Sequence, residues 1–321
     1  MARCFVTRRL PGSALERLAA AHEIDVWAGE SPPDRAEVVA HAREADGLLS
    51  QLTERVDADL LDRCPRLVAV ANYAVGYDNI DVEAATERGV AVGNTPDVLT
   101  DATADLTWAL MLAAARRLPE GERAVRSGTW SWEPDFLLGQ DVYGATLGIV
   151  GMGRIGRAVA QRGSGFEMEV IHHSRSGGVP LDELLARADY VSLHAPLTPE
   201  TRGLIGEREL RLMKDSAILV NTARGPLVHT DALVRALQDG WIAGAGLDVT
   251  DPEPLPPGHR LLSCPRLAIA PHIGSATHTA RAAMADRAVD NLLAALRGER
   301  MPYCVNPEVY ERGLRSIPQA P

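Results

Sequence analysis

The stretch GIVGMGRIGRAVAQRGSGFEMEVIHHSRSGG occupies residues 148–178. It starts as a short apolar strand, passes through Gly151, Gly153 and Gly156, and continues as a helical segment leading to a second strand. The glycines fit G-x-G-x-x-G, a weak pattern alone, but here it has the strand–turn–helix context of a dinucleotide site. Such glycines permit a tight turn, and the helix N-terminus favours a pyrophosphate. We predict a dinucleotide-binding loop; the alternative is a tight turn without a ligand.

The end of the second strand lacks the acidic residue that usually binds the ribose hydroxyls of NAD. It has the sequence His173-Ser174-Arg175-Ser176. Hydroxyls and a guanidinium suit a 2′-phosphate, which an arginine can bind through two parallel hydrogen bonds. We therefore predict a preference for NADP(H), with NAD(H) possible as a cofactor. The alternative is that Arg175 only points to solvent.

Strand-like runs alternate with helical stretches on both sides of this loop. The runs are RCFVT (3–7), IDVW (24–27), GLLS (47–50), LVAVAN (67–72), VAVGN (90–94), TLGIVG (146–151), EVIHHS (169–174), YVSLHA (190–195), AILVNT (217–222), IAGAGLDV (242–249) and LAIAPH (267–272). This alternation is typical of parallel sheets with helices on both faces. The predicted fold class is α/β, with two doubly wound parallel-sheet domains.

The domain organisation follows from two long helical stretches. An apolar one spans residues 101–118, a looser stretch follows at 120–144, and a final helix spans 279–298 before a short tail. The tail has no strand series of its own, so we predict that the last helix returns the chain to the first domain. A Rossmann nucleotide domain over 100–285 is then inserted in a flavodoxin-like substrate domain made of 1–99 and 286–321.

Composition narrows the classes of partner. The chain has 321 residues, with 33 basic and 43 acidic side chains and a net charge of −10, which argues against nucleic acid or an anionic membrane as partner. No apolar run reaches the ~18 residues of a membrane span, and the apolar stretch at residues 1–12 is too short for a secretory signal. Four scattered cysteines indicate free thiols, so we predict a cytoplasmic protein.

Three segments that follow later strands each carry an ionisable residue. They are NTARG (221–225), GLDVTDPEP (246–254) and APHIGSAT (270–277). The guanidinium of Arg224 suits a substrate carboxylate and its neighbouring oxygen. An imidazole such as that of His272 can exchange protons near neutral pH, and Glu253 can bind its other nitrogen. One such histidine is more often structural, but three such residues after a dinucleotide loop favour a hydride-transfer site without a metal.

Motifs along nearly the whole chain resemble those of the D-isomer-specific 2-hydroxyacid dehydrogenases, and most of all the glyoxylate/hydroxypyruvate reductases. These motifs are NYAVGYDNIDVEAATERGVAVGNTPDVLTDATAD (72–105), GMGRIGRAVA (151–160), HAPLTPETRGLI (194–205), NTARGPLV (221–228), GLDVTDPEP (246–254) and PHIGSAT (271–277). The resemblance implies an NAD(P)-dependent enzyme that reduces a small 2-oxo acid to a 2-hydroxy acid.

The resemblance also implies roles for individual residues. Arg224 binds and orients the 2-oxo acid, His272 is the acid/base, and Glu253 is its partner. Val75 and Gly76 present backbone N–H groups to the substrate carboxylate. The remaining expected substrate-binding residue is Ser275, and the expected cofactor-binding residues are Gly151, Gly153, Arg154, Ile155, Gly156, Ser174, Arg175, Ser176, Pro196, Thr222, Ala223, Asp248 and Gly274. Ser174 occupies the position of the family's usual acid, which supports NADP(H).

The family is typically dimeric through the nucleotide domain, so a homodimer is expected. The segment TWSWEP (129–134) falls where an arm reaches the partner, and Trp130 or Trp132 either touches the neighbouring site or only packs in the interface. Rival activities are those of D-lactate-type, phosphoglycerate and phosphite dehydrogenases. A rival from another class is a dinucleotide-sensing corepressor, which shares this fold.

Overall fold

The chain forms two compact units in the computed structural model, which describes residues 1–315. One unit comprises Met1–Leu99 and Ala276–Pro321, and the other Thr100–Ser275. The predicted tail segment over 316–321 lies outside the described residues. The predicted second boundary, after residue 285, is corrected to residue 275. The helix that begins at His278 is capped by Thr277, and it contacts elements of the first unit. In its first turns the Arg281 carbonyl accepts from the Tyr73 hydroxyl at 2.7 Å, so these turns belong to the first unit.

The first unit is a parallel sheet with helices on both faces. Its strands are β1 (Arg3–Val6), β2 (Glu23–Val26), β3 (Gly47–Ser50), β4 (Ala69–Asn72) and β5 (Ala91–Gly93), and its helices are α1 (Ala14–Ala21), α2 (Arg35–Ala42), α3 (Ala58–Arg63), α4 (Val82–Glu87), α11 (His278–Leu296) and α12 (Val309–Arg312). Over the described residues the strand order is β2-β1-β3-β4-β5, the order of flavodoxin-like folds. The inner strands read as continuous apolar runs because helices bury them on each side.

The second unit is a longer sheet of the Rossmann type. Its strands are β6 (Thr146–Val150), β7 (Glu169–Ser174), β8 (Gly177–Gly178), β9 (Tyr190–Leu193), β10 (Ile218–Asn221), β11 (Gly244–Leu247) and β12 (Leu267–Ile269), and its helices are α5 (Thr100–Ala115), α6 (Leu118–Ser127), α7 (Arg154–Gly163), α8 (Leu181–Arg187), α9 (Glu207–Leu212) and α10 (Thr230–Asp239). The strand order is β12-β11-β10-β9-β6-β7-β8, a Rossmann order extended by one edge strand. All its strand pairs are parallel except β7 with β8. The predicted α/β class with two parallel-sheet domains is therefore confirmed.

Every predicted strand run overlaps an observed strand, but two elements were not expected. The stretch predicted to be loose over 120–144 begins inside α6, which is separated from α5 by Arg117 in the left-handed conformation (φ 53°). The strand β8 is a glycine pair that pairs back on β7. Over residues 1–315, no helix has both the length and the apolar character needed to cross a bilayer.

The register of the second sheet brings the ends of several strands to one edge. Asn221 of β10 lies opposite Leu247 of β11, and Leu247 lies opposite Ile269 of β12. Val150 of β6 lies opposite Leu193 of β9. The loops that follow these residues therefore emerge side by side at the carboxyl edge, where open α/β sheets bind their ligands.

Candidate active site

The glycine-rich loop between β6 and α7 has two glycines required by packing and one that faces open space. Gly151 has φ 99°, and a Cβ there would lie 2.6 Å from the backbone nitrogen of Ala195. A Cβ on Gly156 would lie 2.2 Å from the carbonyl oxygen of Gly151. A Cβ on Gly153 would meet no described atom within 4 Å. The first two glycines hold the turn, and Gly153 leaves room beside the helix end.

This open space fits the pyrophosphate of a dinucleotide. Gly153 is the N-terminal cap of α7, and Arg154 is exposed at the start of the helix, with Ile155 half-buried behind it. First-turn N–H groups of a helix have no partner within the helix, and they point towards such a space. The Gly151 N–H is used internally, because it donates to the carbonyl of His173 over 2.8 Å. The loop can therefore hold a phosphate with backbone N–H groups near Gly153.

Ser174, Arg175 and Ser176 form the hairpin turn from β7 to β8. The Ser174 hydroxyl donates to the Gly177 carbonyl over 3.0 Å and lies 3.1 Å from the Ser176 hydroxyl oxygen. Arg175 is exposed. The pKa of the Glu200 carboxyl is lowered by the Thr198 hydroxyl first, then by its own backbone N–H and by the charge of Arg175.

Glu200 belongs to the loop after β9, which also contains the exposed Pro196. The charge of Arg175 also acts on the Glu200 carboxyl, so the hairpin turn and the loop after β9 interact electrostatically within the second unit. The hairpin turn and the Pro196 loop are the two segments expected to enclose an adenosine. Sequence reasoning did not single out Glu200, although it lies within the motif HAPLTPETRGLI (194–205).

The loop that carries Arg224 is held by the buried side chain of Asn221. The Asn221 amide donates to the Arg224 carbonyl over 2.8 Å, and its oxygen accepts from the Ala223 N–H at 3.0 Å. Thr222 is held from another direction, since its hydroxyl lies 2.8 Å from the Thr107 hydroxyl on α5. The loop backbone is therefore fixed before any ligand binds.

The next residue, Gly225, explains the close approach of a second loop. A Cβ on Gly225 would lie 1.9 Å from the carbonyl oxygen of Thr250. Only glycine lets these two backbones meet, which brings the Arg224 loop against the loop that carries Glu253. The Arg224 guanidinium donates to the Ala223 carbonyl over 2.8 Å, and its charge contributes to the lowered pKa of Glu253.

His272 and Glu253 form a hydrogen-bonded pair. The Nδ1 atom of His272 lies 2.5 Å from Oε1 of Glu253, and Oε2 of Glu253 accepts from the Thr250 N–H at 3.2 Å. Burial raises the pKa of Glu253, but the His272 hydrogen bond and charge, the Thr250 N–H and Arg224 outweigh it and lower the pKa overall. With Nδ1 engaged, Nε2 is the imidazole nitrogen that remains for proton exchange.

The backbone of His272 is held in place by Asp248. His272 has φ 55°, an uncommon conformation for a residue with a side chain, and its N–H donates to the Asp248 carbonyl over 2.8 Å. The buried Asp248 carboxylate accepts from the N–H groups of Ile273 and Gly274, each at 2.7 Å. Asp248 thus fixes the backbone of the loop that carries the His272 imidazole. The expected roles of Asp248 and Gly274 along the dinucleotide stay predictions.

In the first unit, Val75 and Gly76 lie in the loop after β4. The Val75 carbonyl accepts from the Asn94 amide at 2.8 Å, and the Gly76 carbonyl accepts from the Asn72 amide at 2.9 Å. Both carbonyls are thus bound within the protein. Ser275, the other expected substrate-binding residue, is half-buried and is the last residue of the second unit.

Sequence reasoning missed the residues that fix the site loops: Asn72, Asn94, Thr107 and Asn221. The available signal was a polar residue closing an apolar run. Asn72 is the last residue of β4 and Asn221 the last of β10, and both are buried. Buried amides need hydrogen-bond partners, so they mark loops that are held in place.

A glycine loop at the carboxyl edge of a Rossmann sheet, with a guanidinium and an imidazole–carboxylate pair on neighbouring loops, defines a dinucleotide-dependent oxidoreductase. Residues 1–315 hold no group of three or more His, Cys, Asp or Glu side chains arranged to bind a metal ion.

The chain belongs to the D-isomer specific 2-hydroxyacid dehydrogenase family, whose NAD binding domain matches residues 108–274. It is 50% identical over 320 residues to a glyoxylate reductase of Korarchaeum cryptofilum, covering 96% of each chain. Protein TT0316 of Thermus thermophilus matches with 53% identity and a TM-score of 0.90, covering 94% of this chain and 99% of that one.

A third relative is an NADPH-dependent glyoxylate/hydroxypyruvate reductase of Sinorhizobium meliloti, solved with NADP and malonate. It matches with 35% identity and a TM-score of 0.85, covering 98% of this chain and 99% of that one. The predicted family resemblance is confirmed, and the protein is an NAD(P)-dependent oxidoreductase.

Proposed function

We propose that this protein is an NADPH-preferring reductase of small 2-oxo acids, with glyoxylate and hydroxypyruvate as substrates. The observation that carries the proposal is the His272–Glu253 pair, with Arg224 on the adjoining loop of the same sheet edge. Relatives at about half identity are glyoxylate reductases, which supports the choice of substrate.

Arg224 is the substrate-binding cation of the proposal. Its planar guanidinium presents paired N–H donors that match a carboxylate and the neighbouring carbonyl oxygen. Asn221 fixes the backbone from which this side chain extends, and the guanidinium donates to the Ala223 carbonyl over 2.8 Å. The proposed backbone donors to the substrate carboxylate are the N–H groups of Val75 and Gly76, which belong to the first unit. Ser275, the last residue of the second unit, contributes a hydroxyl.

His272 is the proton donor in reduction. Bound NADPH supplies the hydride that converts the carbonyl carbon of the 2-oxo acid to an alcohol carbon. The protonated Nε2 of His272 gives its proton to the carbonyl oxygen, and Glu253 holds the ring through Nδ1 and balances the imidazolium charge. Arg224 and His272 both stabilise the negative charge that develops on that oxygen, the usual electrostatic contribution in such sites.

The NADPH preference rests on the hairpin turn at the end of β7. It offers the hydroxyls of Ser174 and Ser176 and the exposed guanidinium of Arg175, with no carboxylate at position 174. A 2′-phosphate gains charge-assisted hydrogen bonds from such groups. Gly153 and the first turn of α7 hold the pyrophosphate, and the expected contacts of Thr222, Ala223 and Pro196 complete the site.

The proposal is tested by initial rates with a panel of substrates. Glyoxylate, hydroxypyruvate, pyruvate and 3-phosphohydroxypyruvate are each reduced with NADPH or NADH, and phosphite is offered with NADP⁺ or NAD⁺. We expect kcat/KM to be highest for glyoxylate or hydroxypyruvate with NADPH, and about tenfold lower with NADH. Preference for phosphite or for the phosphorylated acid would assign a different substrate, and preference for NADH would remove the role of Arg175.

A homodimer through the nucleotide domain completes the proposal. Trp130 and Trp132 are 53% and 93% exposed in the segment 129–134, and Phe136 and Leu138 are exposed beside them. Such a run of exposed apolar side chains is typical of an interface. Sedimentation equilibrium tests this, with a dimer mass expected and a reduced dimer affinity for Trp132→Ser.

We also propose a cytoplasmic location, supported by four free thiols of which three are buried.

A further inference from the structure

We propose that Asn94 is a positioning residue for the substrate carboxylate. It binds the Val75 carbonyl and thereby sets the direction of the Gly76 N–H, which belongs to the same peptide group. The inference rests on the proposed role of the Val75 and Gly76 backbone in binding that carboxylate. It concerns contacts within the first unit only, and it names a residue that does not itself touch the substrate.

The link between Asn94 and Gly76 is the planar peptide bond. In a trans peptide, the carbonyl of one residue and the N–H of the next lie in one plane and point in opposite directions. The Asn94 amide donates to the Val75 carbonyl over 2.8 Å. Because the two groups share one rigid plane, the hydrogen bond that fixes the Val75 carbonyl also fixes the direction of the Gly76 N–H.

The preceding peptide is held by the residue next to Asn94. The Thr95 N–H donates to the Ala74 carbonyl over 2.9 Å, which fixes the plane that contains the Val75 N–H. Because both carbonyls face the segment formed by Asn94 and Thr95, both N–H groups point away from it. In the described part of the chain, neither the Val75 N–H nor the Gly76 N–H has an acceptor. Two N–H groups directed alike and left without acceptors suit an anion.

The backbone of Asn94 is itself held by a hydrogen bond from helix α11. The fully buried Asn291 donates from its amide to the Asn94 carbonyl over 3.0 Å, and its oxygen accepts from the Tyr303 N–H at 2.9 Å. The Asn94 N–H donates to the Tyr303 carbonyl over 3.1 Å. A Cβ on Gly93 would lie 2.5 Å from the Asn291 amide nitrogen, so a glycine is needed for this approach. Asn94 therefore holds one position.

The expected effect on the kinetic constants follows from the fact that the substrate carboxylate takes no part in the chemical step. It carries the same charge in the substrate and in the transition state, so its binding contributes mainly to KM. Asn94→Asp replaces a donor by an oxygen that repels the Val75 carbonyl, and the peptide turns. Asn94→Ala removes the donor without repulsion, so its effect is smaller.

The experiment measures steady-state kinetics of glyoxylate reduction with NADPH, and inhibition by oxalate as an unreactive dicarboxylate. For Asn94→Asp, we expect both the KM for glyoxylate and the inhibition constant of oxalate to rise about tenfold or more. Asn94→Ala should show the same change at a smaller size. The kcat and the KM for NADPH should stay within about threefold of the wild type.

Asn306→Ser is the matched control. Asn306 is also a fully buried amide that holds β5, since its oxygen accepts from the Val92 N–H at 2.8 Å and its nitrogen donates to the Val90 carbonyl over 3.0 Å. Its hydrogen bonds within residues 1–315 do not reach the Val75 loop, so the control should lower the melting temperature and leave the KM for glyoxylate unchanged.

The inference is overturned if folded Asn94→Asp and Asn94→Ala keep the wild-type KM and oxalate inhibition, or if kcat alone falls. It is also overturned if Asn306→Ser raises KM as much as the Asn94 variants, since the effect is then general loosening of β5. A wild type that reduces no 2-oxo acid is a different result, because it contradicts the proposed function itself.

Discussion

The Nδ1 atom of His272 lies 2.5 Å from Oε1 of Glu253, although the two residues belong to loops after different strands. The contact depends on backbone features of both loops. His272 has a left-handed φ of 55°, and the Glu253 carboxylate also accepts from the Thr250 N–H. A non-glycine residue in this conformation is retained where the surrounding structure demands it, which is common at functional sites.

Replacing the carboxylate should slow catalysis without changing cofactor binding. In Glu253→Gln, the imidazole loses a negative partner and is less well held, so the kcat for glyoxylate should fall about ten- to a hundredfold. Steady-state rates with NADPH measure this. Glu183→Gln, a surface carboxylate paired with Arg187, is the control and should leave kcat unchanged. Equal rates for Glu253→Gln and wild type would show that the pair has no part in proton transfer.

The lowered pKa of Glu253 makes its contribution to stability depend on pH. A carboxyl with a folded pKa below its ordinary value of 4.5 stabilises the fold fully above that value, and the effect is lost as the pH falls through the folded pKa. The difference in unfolding free energy between wild type and Glu253→Gln should therefore shrink on going from about pH 7 to about pH 4. Urea denaturation at both pH values measures it, and a difference that grows towards acid pH contradicts the assignment.

Gly153 offers a way to separate ligand binding from folding. A Cβ at Gly153 meets no described atom within 4 Å, and φ there is negative, so Gly153→Ala should fold normally. The methyl group occupies the space where the pyrophosphate is expected, so the Kd for NADPH should rise about tenfold or more. The matched control is Gly165→Ala, which also faces open space. If titration by NADPH fluorescence finds unchanged affinity in Gly153→Ala, the pyrophosphate lies elsewhere.

Arg175 should decide between the two cofactors. In Arg175→Ala, the KM for NADPH should rise about tenfold or more while the KM for NADH changes little, because only the 2′-phosphate loses a partner. Arg235→Ala removes the same charge from α10 of the same unit, away from the hairpin turn and the Pro196 loop, and serves as the control. Equal losses with both cofactors would indicate a general charge effect.

The pattern of the sequence predicted most of the fold because parallel strands buried on both faces are continuous apolar runs. The two unpredicted elements have local causes. β8 is a pair of glycines, which have no strand preference, and α6 has a polar composition with Pro119 near its start. The second domain boundary was misplaced because a helix signal does not say which sheet the helix packs against.

The site residues also fall into two groups, those that the sequence indicates and those that only the structure shows. Arg224, Glu253 and His272 are indicated by their position after strands and by the family motifs. Asn221 closes an apolar run, which marks it as a buried amide. The hydrogen-bond partners of Asn221 and Asn94 are set by tertiary structure, so the sequence does not show which loop each residue holds. Gly225 is a similar case. Its position excludes any side chain because the Thr250 carbonyl lies against it, and only the tertiary structure shows this.

The rate of glyoxylate reduction by His272→Asn tests the role of the imidazole most directly. Asparagine tolerates the left-handed backbone, and its amide can still donate to Glu253, so the loop is kept while the proton donor is lost. We predict that kcat falls about a hundred- to ten-thousandfold with the Kd for NADPH within about twofold of wild type. A His272→Asn variant that binds NADPH and keeps a kcat near that of wild type across the pH range would contradict the central role of this imidazole.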